Sequence, residues 1–173
     1  MAKLSRAEII SQLDNIRYRS MTGQLGNGVR LDNLPDNEFI IRLIGGESGF
    51  DSEVQAKRDD GRAGGMGIAQ LTNSTTQNYA KKLGMGDGNL NQSQIDEIRK
   101  NPQKSLEIAC LLLNDISSNG AKKALGNNET EKKAFDALAY KAGAAVAAKA
   151  LDNGTVNYNK VIPDLANVSG VLS

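Results

Sequence analysis

Apolar residues recur at helical spacing along almost the whole chain, and almost nowhere with the strict alternation that a half-buried strand needs. Ser5 followed by Glu8 reads as a capping box, after which Ile9, Ile10, Leu13 and Ile16 form one apolar stripe. The glycine-marked stretch 21–33 reads as a loop. Pro35 and Asp36 then open a second helix carrying Phe39, Ile40, Leu43 and Ile44. A third helix is expected over 74–83, stopping at Gly84, and a short one over 93–99. Asn101 and Pro102 make a cap and first-turn pair for a long helix. That helix turns Leu106, Ala109, Cys110, Leu113 and Ile116 inward and ends near Gly120. "EKKAFDALAYKAG" predicts another, with Ala134, Phe135, Leu138 and Ala142 on one face and its end at Gly143. An alanine-rich helix over 144–151 follows, and the best strand pattern is "GTVNY" (154–158). The expected fold class is all-α with at most a token β-hairpin.

At 173 residues the chain is most simply one domain. It divides into an N-terminal helix and loop (1–34), a core (35–152) and a tail (153–173) expected to pack on that core. Charge is balanced, with 21 basic and 20 acidic residues, which makes no electrostatic case for nucleic acid or an anionic membrane. No apolar run is long enough to span a bilayer, since "AGAAVAAKAL" is short and broken by Lys149. "MAKLSRAEII" carries no apolar signal core, so synthesis in the cytoplasm without a secretory peptide is the expectation. The single Cys110 cannot form an intrachain disulfide and suits a reducing compartment.

Histidine is absent. That excludes Ser-His-Asp and Cys-His catalysis and His-ligated zinc hydrolysis. Proton transfer would have to come from carboxylates, tyrosine or lysine.

One carboxylate stands out. Glu47 follows the apolar run "FIIRLI" and lies at the start of the long glycine-rich connection "GGESGFDSEVQAKRDDGRAGGMG" (45–67). Connections of this length inside a compact domain are functional or mobile. On a helix, Glu47 falls three residues after Ile44 and four after Leu43, on the core face. Partial desolvation there favours the neutral carboxyl and raises its pKa, as a general acid requires. Position alone leaves a second reading, in which Glu47 caps a fraying helix end beside Gly45 and Gly46.

"GESGF" (46–50), "GMGIAQLT" (65–72) and "ALAYKAG" (137–143), in that order, resemble the motifs of the soluble lytic transglycosylases. These are goose-type-lysozyme-like enzymes that cleave the glycan of peptidoglycan. "TTQNYAKKLG" (75–84) and "NPQKSLEIACLLLNDI" (101–116) are similar to two of the family's helices, and the resemblance covers roughly 36–150.

It implies an α-rich lysozyme-like fold with Glu47 as the single acid/base, at a helix end facing a substrate groove. Ser48 would hydrogen-bond and orient Glu47, and Tyr140 would bring its hydroxyl near the acid. Gln70 would line the substrate cleft together with Phe50, Ile68 and Ala69, while Gly67 would permit close approach of a sugar. Read without the family, Ser48 is a helix-end serine and Tyr140 a half-buried packing residue. The chain departs from the pattern in four places. The Glu47-to-Gly67 spacing is long, Ala69 replaces a usual Met, "LTNST" lacks the usual Pro, and Lys141 replaces an Asn.

The implied reaction cuts the MurNAc-β-1,4-GlcNAc bond with a 1,6-anhydro product and needs neither metal nor cofactor. Hydrolysis of the same bond would need a second carboxylate, for which Asp60 and then Asp59 are the candidates. A catalytically silent wall-binding protein on the same fold is a further reading, which Ala69 and Lys141 leave open. So is a helical adaptor that uses "AFDALAYKAGAAVAAKAL" as a partner face. The expected partner is the peptidoglycan glycan strand, with no nucleic acid, no membrane insertion and a monomeric state. The expected place of action is the bacterial wall or periplasm, which fits a bacteriophage lysin or a virion-borne enzyme and leaves a bacterial enzyme open.

Overall fold

A computed structural model describes residues 3–57 and 63–156. Among them the chain forms eight helices and one two-stranded antiparallel ribbon. By contact density it divides into two compact units, Met1–Asp32 with Ile44–Leu111, and Asn33–Leu43 with Leu112–Ser173. The boundaries fall inside two helices, α2 (Asn37–Ser48) and α5 (Pro102–Ser117).

In the first unit, α1 (Arg6–Met21) starts at the expected capping box: the Glu8 amide donates to Ser5 Oγ at 3.1 Å, and the Ser5 amide to Glu8 Oε1 at 3.2 Å. Ile9, Leu13 and Ile16 are fully buried, while Ile10 stays at the edge of the stripe. Two polar caps set the next helices. Thr72 caps α3 (Asn73–Lys82), and Asn91 forms a capping box with Gln94 at α4 (Gln92–Lys100). Asn101 Oδ1 accepts the Lys104 amide at 2.9 Å, so Pro102 stands at the first turn of α5, where its missing N–H leaves nothing unsatisfied. Leu106, Ala109 and Cys110 face inward as their spacing indicates.

The ribbon pairs β1 (Gln55–Lys57) with β2 (Ala63–Met66). It lies in the glycine-rich connection, not at "GTVNY": Thr155 and Val156 are not strand, and 157–173 lie outside the described residues. "QAK" and "AGGM" have no strand periodicity of their own. Here tertiary pairing overrides local preference.

In the second unit Asp36 caps α2, its Oδ1 accepting the Phe39 amide at 2.9 Å. Pro35 therefore precedes the cap instead of opening the first turn. A short helix, α6 (Gly120–Lys123), follows where the apolar spacing marks none; Asn119 caps it. α7 (Glu129–Ala142) is capped by Asn128 and packs against α8 (Ala144–Asp152) around Ile116, Phe135, Ala139 and Ala147.

Asp136, on α7, is only 2% exposed, 2.7 Å from Lys122 Nζ and 3.4 Å from Ser117 Oγ. Burial raises its carboxyl above the usual range, against the pull of Lys122. A folded pKa above the unfolded one means the native state binds this proton more tightly. That contribution to stability is complete below the unfolded value and is lost as pH rises through the folded one. Asp136→Asn is therefore expected to gain stability relative to the wild type as pH rises from about 4 upward. Urea midpoints measured across that range check this, and parallel profiles would contradict it.

Candidate active site

α2 does not stop at its glycine pair. The backbone stays helical through Gly45 and Gly46 to Ser48, so Glu47 sits in the last turn on the face that continues Ile44. Glu47 is half-buried and its Oε1 is shielded from solvent. The chain then reverses through Gly49 (φ 62°) and Phe50 (φ 66°), with the Gly49 amide donating to the Gly45 carbonyl at 2.8 Å. Phe50 folds back over the helix: a Cβ on Gly45 would lie 3.1 Å from its Cζ. The Phe50 ring thus packs on its own helix, and Gly45 provides the room.

Ser48 has three partners. Its Oγ lies 2.7 Å from the Ile68 carbonyl and 3.2 Å from that of Ile44, and it accepts the Phe50 amide at 3.1 Å. The Ser48 hydroxyl thus serves backbone groups. It ties the helix end bearing Glu47 to the segment bearing Ile68. Ser48→Ala would strand the Ile68 carbonyl and is expected to cost about 1–3 kcal/mol, read from denaturant unfolding.

The Ile68 segment is a tight turn closed by reciprocal backbone bonds between Met66 and Leu71, at 3.1 and 3.2 Å. Gln70 takes a positive φ of 50° inside it. Among the described residues, Phe50 and Gln70 are the two non-glycine residues in this region of backbone space. Each stores on the order of 1 kcal/mol of strain, and such strain collects at functional sites. The Gln70 side-chain amide donates to the carbonyls of Val54 (3.0 Å) and Gly67 (2.9 Å), so this group holds the loop together. The Gly67 amide donates to the same Val54 carbonyl at 2.9 Å.

Two further expectations change. Gly67 is buried, and a Cβ there would overlap the carbonyl oxygen of Arg99. The close approach that demands glycine is made by the protein's own backbone and not by a sugar. Ile68 and Ala69 are fully buried, so they present no side chain to a ligand.

Arg99 belongs to none of the motifs, and nothing in its sequence neighbourhood marks it. Its guanidinium is buried at 2% exposure and donates to the carbonyls of Leu71 (3.1 Å) and Gly64 (3.3 Å), clamping both ends of the turn. Asp96 pairs with it at 2.7 Å, and hydrogen bonds from Arg99 and then Gln92 hold the Asp96 carboxyl below its ordinary value. The Arg99 carbonyl also accepts Ser105 Oγ at 2.7 Å. α4 thus grips the turn, the turn grips Ser48, and Ser48 ends the helix that presents Glu47.

Glu47, Ser48, Phe50, Gly67, Ile68, Ala69 and Gln70 all belong to the first unit. Tyr140 belongs to the second, where it is half-buried on α7 against the Phe135 cluster. Asp59 and Asp60 lie outside the described residues. Burial pushes the Cys110 thiol up to about 12, which leaves it inert as a nucleophile.

No helix among the described residues is long and apolar enough to cross a membrane. Comparison with curated proteins and with solved structures returns no match. A family model described as the transglycosylase SLT domain matches residues 32–161, most of the chain and all three motifs. The chain belongs to the SLT family of peptidoglycan lytic transglycosylases, with the all-α, lysozyme-like fold of that family.

Proposed function

We propose that Glu47 is the single acid/base of a transglycosylase reaction at the MurNAc-β-1,4-GlcNAc linkage. The observation that carries this reading is the continuation of α2 to Ser48, which puts a carboxyl with a solvent-shielded oxygen at the end of an apolar face. A partly desolvated carboxyl favours its neutral form, the form that can donate.

Protonated Glu47 gives its proton to the bridging oxygen as the bond from that oxygen to the muramic C1 breaks. The GlcNAc side leaves with a 4-hydroxyl, and the 2-acetamido group stabilises the positive charge developing at C1. Glu47, now a carboxylate, accepts the proton of the muramic C6 hydroxyl while O6 bonds C1 and closes the 1,6-anhydro ring. Glu47 ends protonated, and no water is consumed. One carboxyl group serves both steps. The family pattern also assigns Tyr140 to the neighbourhood of the acid, and that assignment is part of the proposal. The place of action is the cell wall, where the glycan is.

Mass spectrometry of digested peptidoglycan tests the outcome. Anhydro-muropeptides, each one water lighter than the hydrolytic product, are expected. Reducing muramic ends would replace transglycosylation by hydrolysis and require a second carboxylate.

A further inference from the structure

The second unit contains a concave site of about 470 Å³ between the start of α2, α6 and the first turns of α7. Four lysines line it, and two of them are neutralised: Lys122 by Asp136 at 2.7 Å and Lys132 by Glu129 at 3.6 Å. The carboxylate of Asp36 also lines the site; it caps the α2 N-terminus and keeps its charge, so the lining carries four lysines against three carboxylates. Lys123 and Lys133 have no acidic partner among the described residues, and Lys133 is half-buried. The floor is apolar, made by Pro35 and the buried Phe39.

With one positive charge in excess and two lysines outside any ion pair, above an apolar floor, the site attracts an anion that carries some hydrocarbon. The anchored Asp136–Lys122–Ser117 group keeps the wall of the site rigid and leaves Lys123 and Lys133 as the groups able to answer a ligand. The peptidoglycan substrate supplies such anions in its stem peptides, which join carboxylates to short aliphatic side chains, whereas GlcNAc is neutral.

We infer that Lys123 and Lys133 form a carboxylate-binding site for the stem peptides of peptidoglycan. This rests on the polymer being the substrate, but not on Glu47 being the acid. The two ideas therefore fail separately when binding is measured on the Glu47→Gln protein.

The experiment is an NMR titration of the full-length, isotope-labelled Glu47→Gln chain with a soluble stem tetrapeptide. The same peptide with its carboxyls amidated, and inorganic phosphate, serve as controls. Shifts are expected at Lys122, Lys123 and 129–133, weakening as salt rises. Affinity should drop about tenfold or more for the amidated peptide and for the Lys123→Gln/Lys133→Gln double variant. Shifts confined to other residues, no binding, or equal binding of the amidated peptide would overturn the inference. So would unchanged affinity in the double variant. A response to phosphate equal to that of the peptide would mark a general anion site and overturn it too.

Discussion

Glu47→Gln is expected to lower muralytic turnover by about 10²–10⁴-fold while leaving the fold intact. Glutamine keeps the shape and polarity of the side chain, so the last turn of α2, the Ser48–Ile68 bond and the Phe50–Gly45 contact have no reason to change. What disappears is the exchangeable proton, and with it, in the proposed reaction, both the donation to the bridging oxygen and the return from the C6 hydroxyl. Because one group serves both steps, nothing among the motif residues replaces it. Zymography with turbidity assays on purified wall measures the first effect, and circular dichroism melting measures the second. Activity retained at the wild-type level in a folded Glu47→Gln protein would remove Glu47 from the mechanism.

The largest structural effect is expected at a residue with no side chain. Gly67→Ala places a methyl group where the Arg99 carbonyl oxygen already lies, at a backbone φ of 81°. The left-handed conformation alone costs alanine about 1–2 kcal/mol. The overlap adds more because that carbonyl cannot easily withdraw: it belongs to the last turn of α4 and accepts Ser105 Oγ. A total of about 4 kcal/mol or more follows, which for a chain of this size lowers Tm by on the order of 10 °C. Gly49→Ala is the control. Its φ is 62°, but open space surrounds the new Cβ, so only the conformational cost of about 1 kcal/mol applies. Equal melting shifts for the two variants would mean that contact between the turn and α4 contributes little.

The motif residues can be picked out along the chain, but the direction each one faces cannot. By resemblance Gly67 makes room for a sugar, Ser48 holds a carboxylate, and Ile68 and Ala69 line a cleft. In the folded protein Gly67 lies against the Arg99 carbonyl, Ser48 bonds the Ile68 carbonyl, and Ile68 and Ala69 are buried. A motif marks which residues matter together; it does not say whether they face a ligand or one another.

Local physics is enough for most of the helices. Apolar spacing, the Ser5–Glu8 box, the Asn101–Pro102 pair and the stop at Gly143 involve neighbours within one or two turns, so they can be read along the chain. The absence of histidine likewise narrows proton transfer to carboxylates, tyrosine or lysine from composition alone. Three things required the tertiary structure: the ribbon inside the glycine-rich connection, the buried Arg99 clamp, and the basic concavity beside α6. Each arises from groups far apart in sequence, such as Arg99 with Gly64 or Lys122 with Asp136. Their energies depend on burial and distance, quantities that no window of consecutive residues contains.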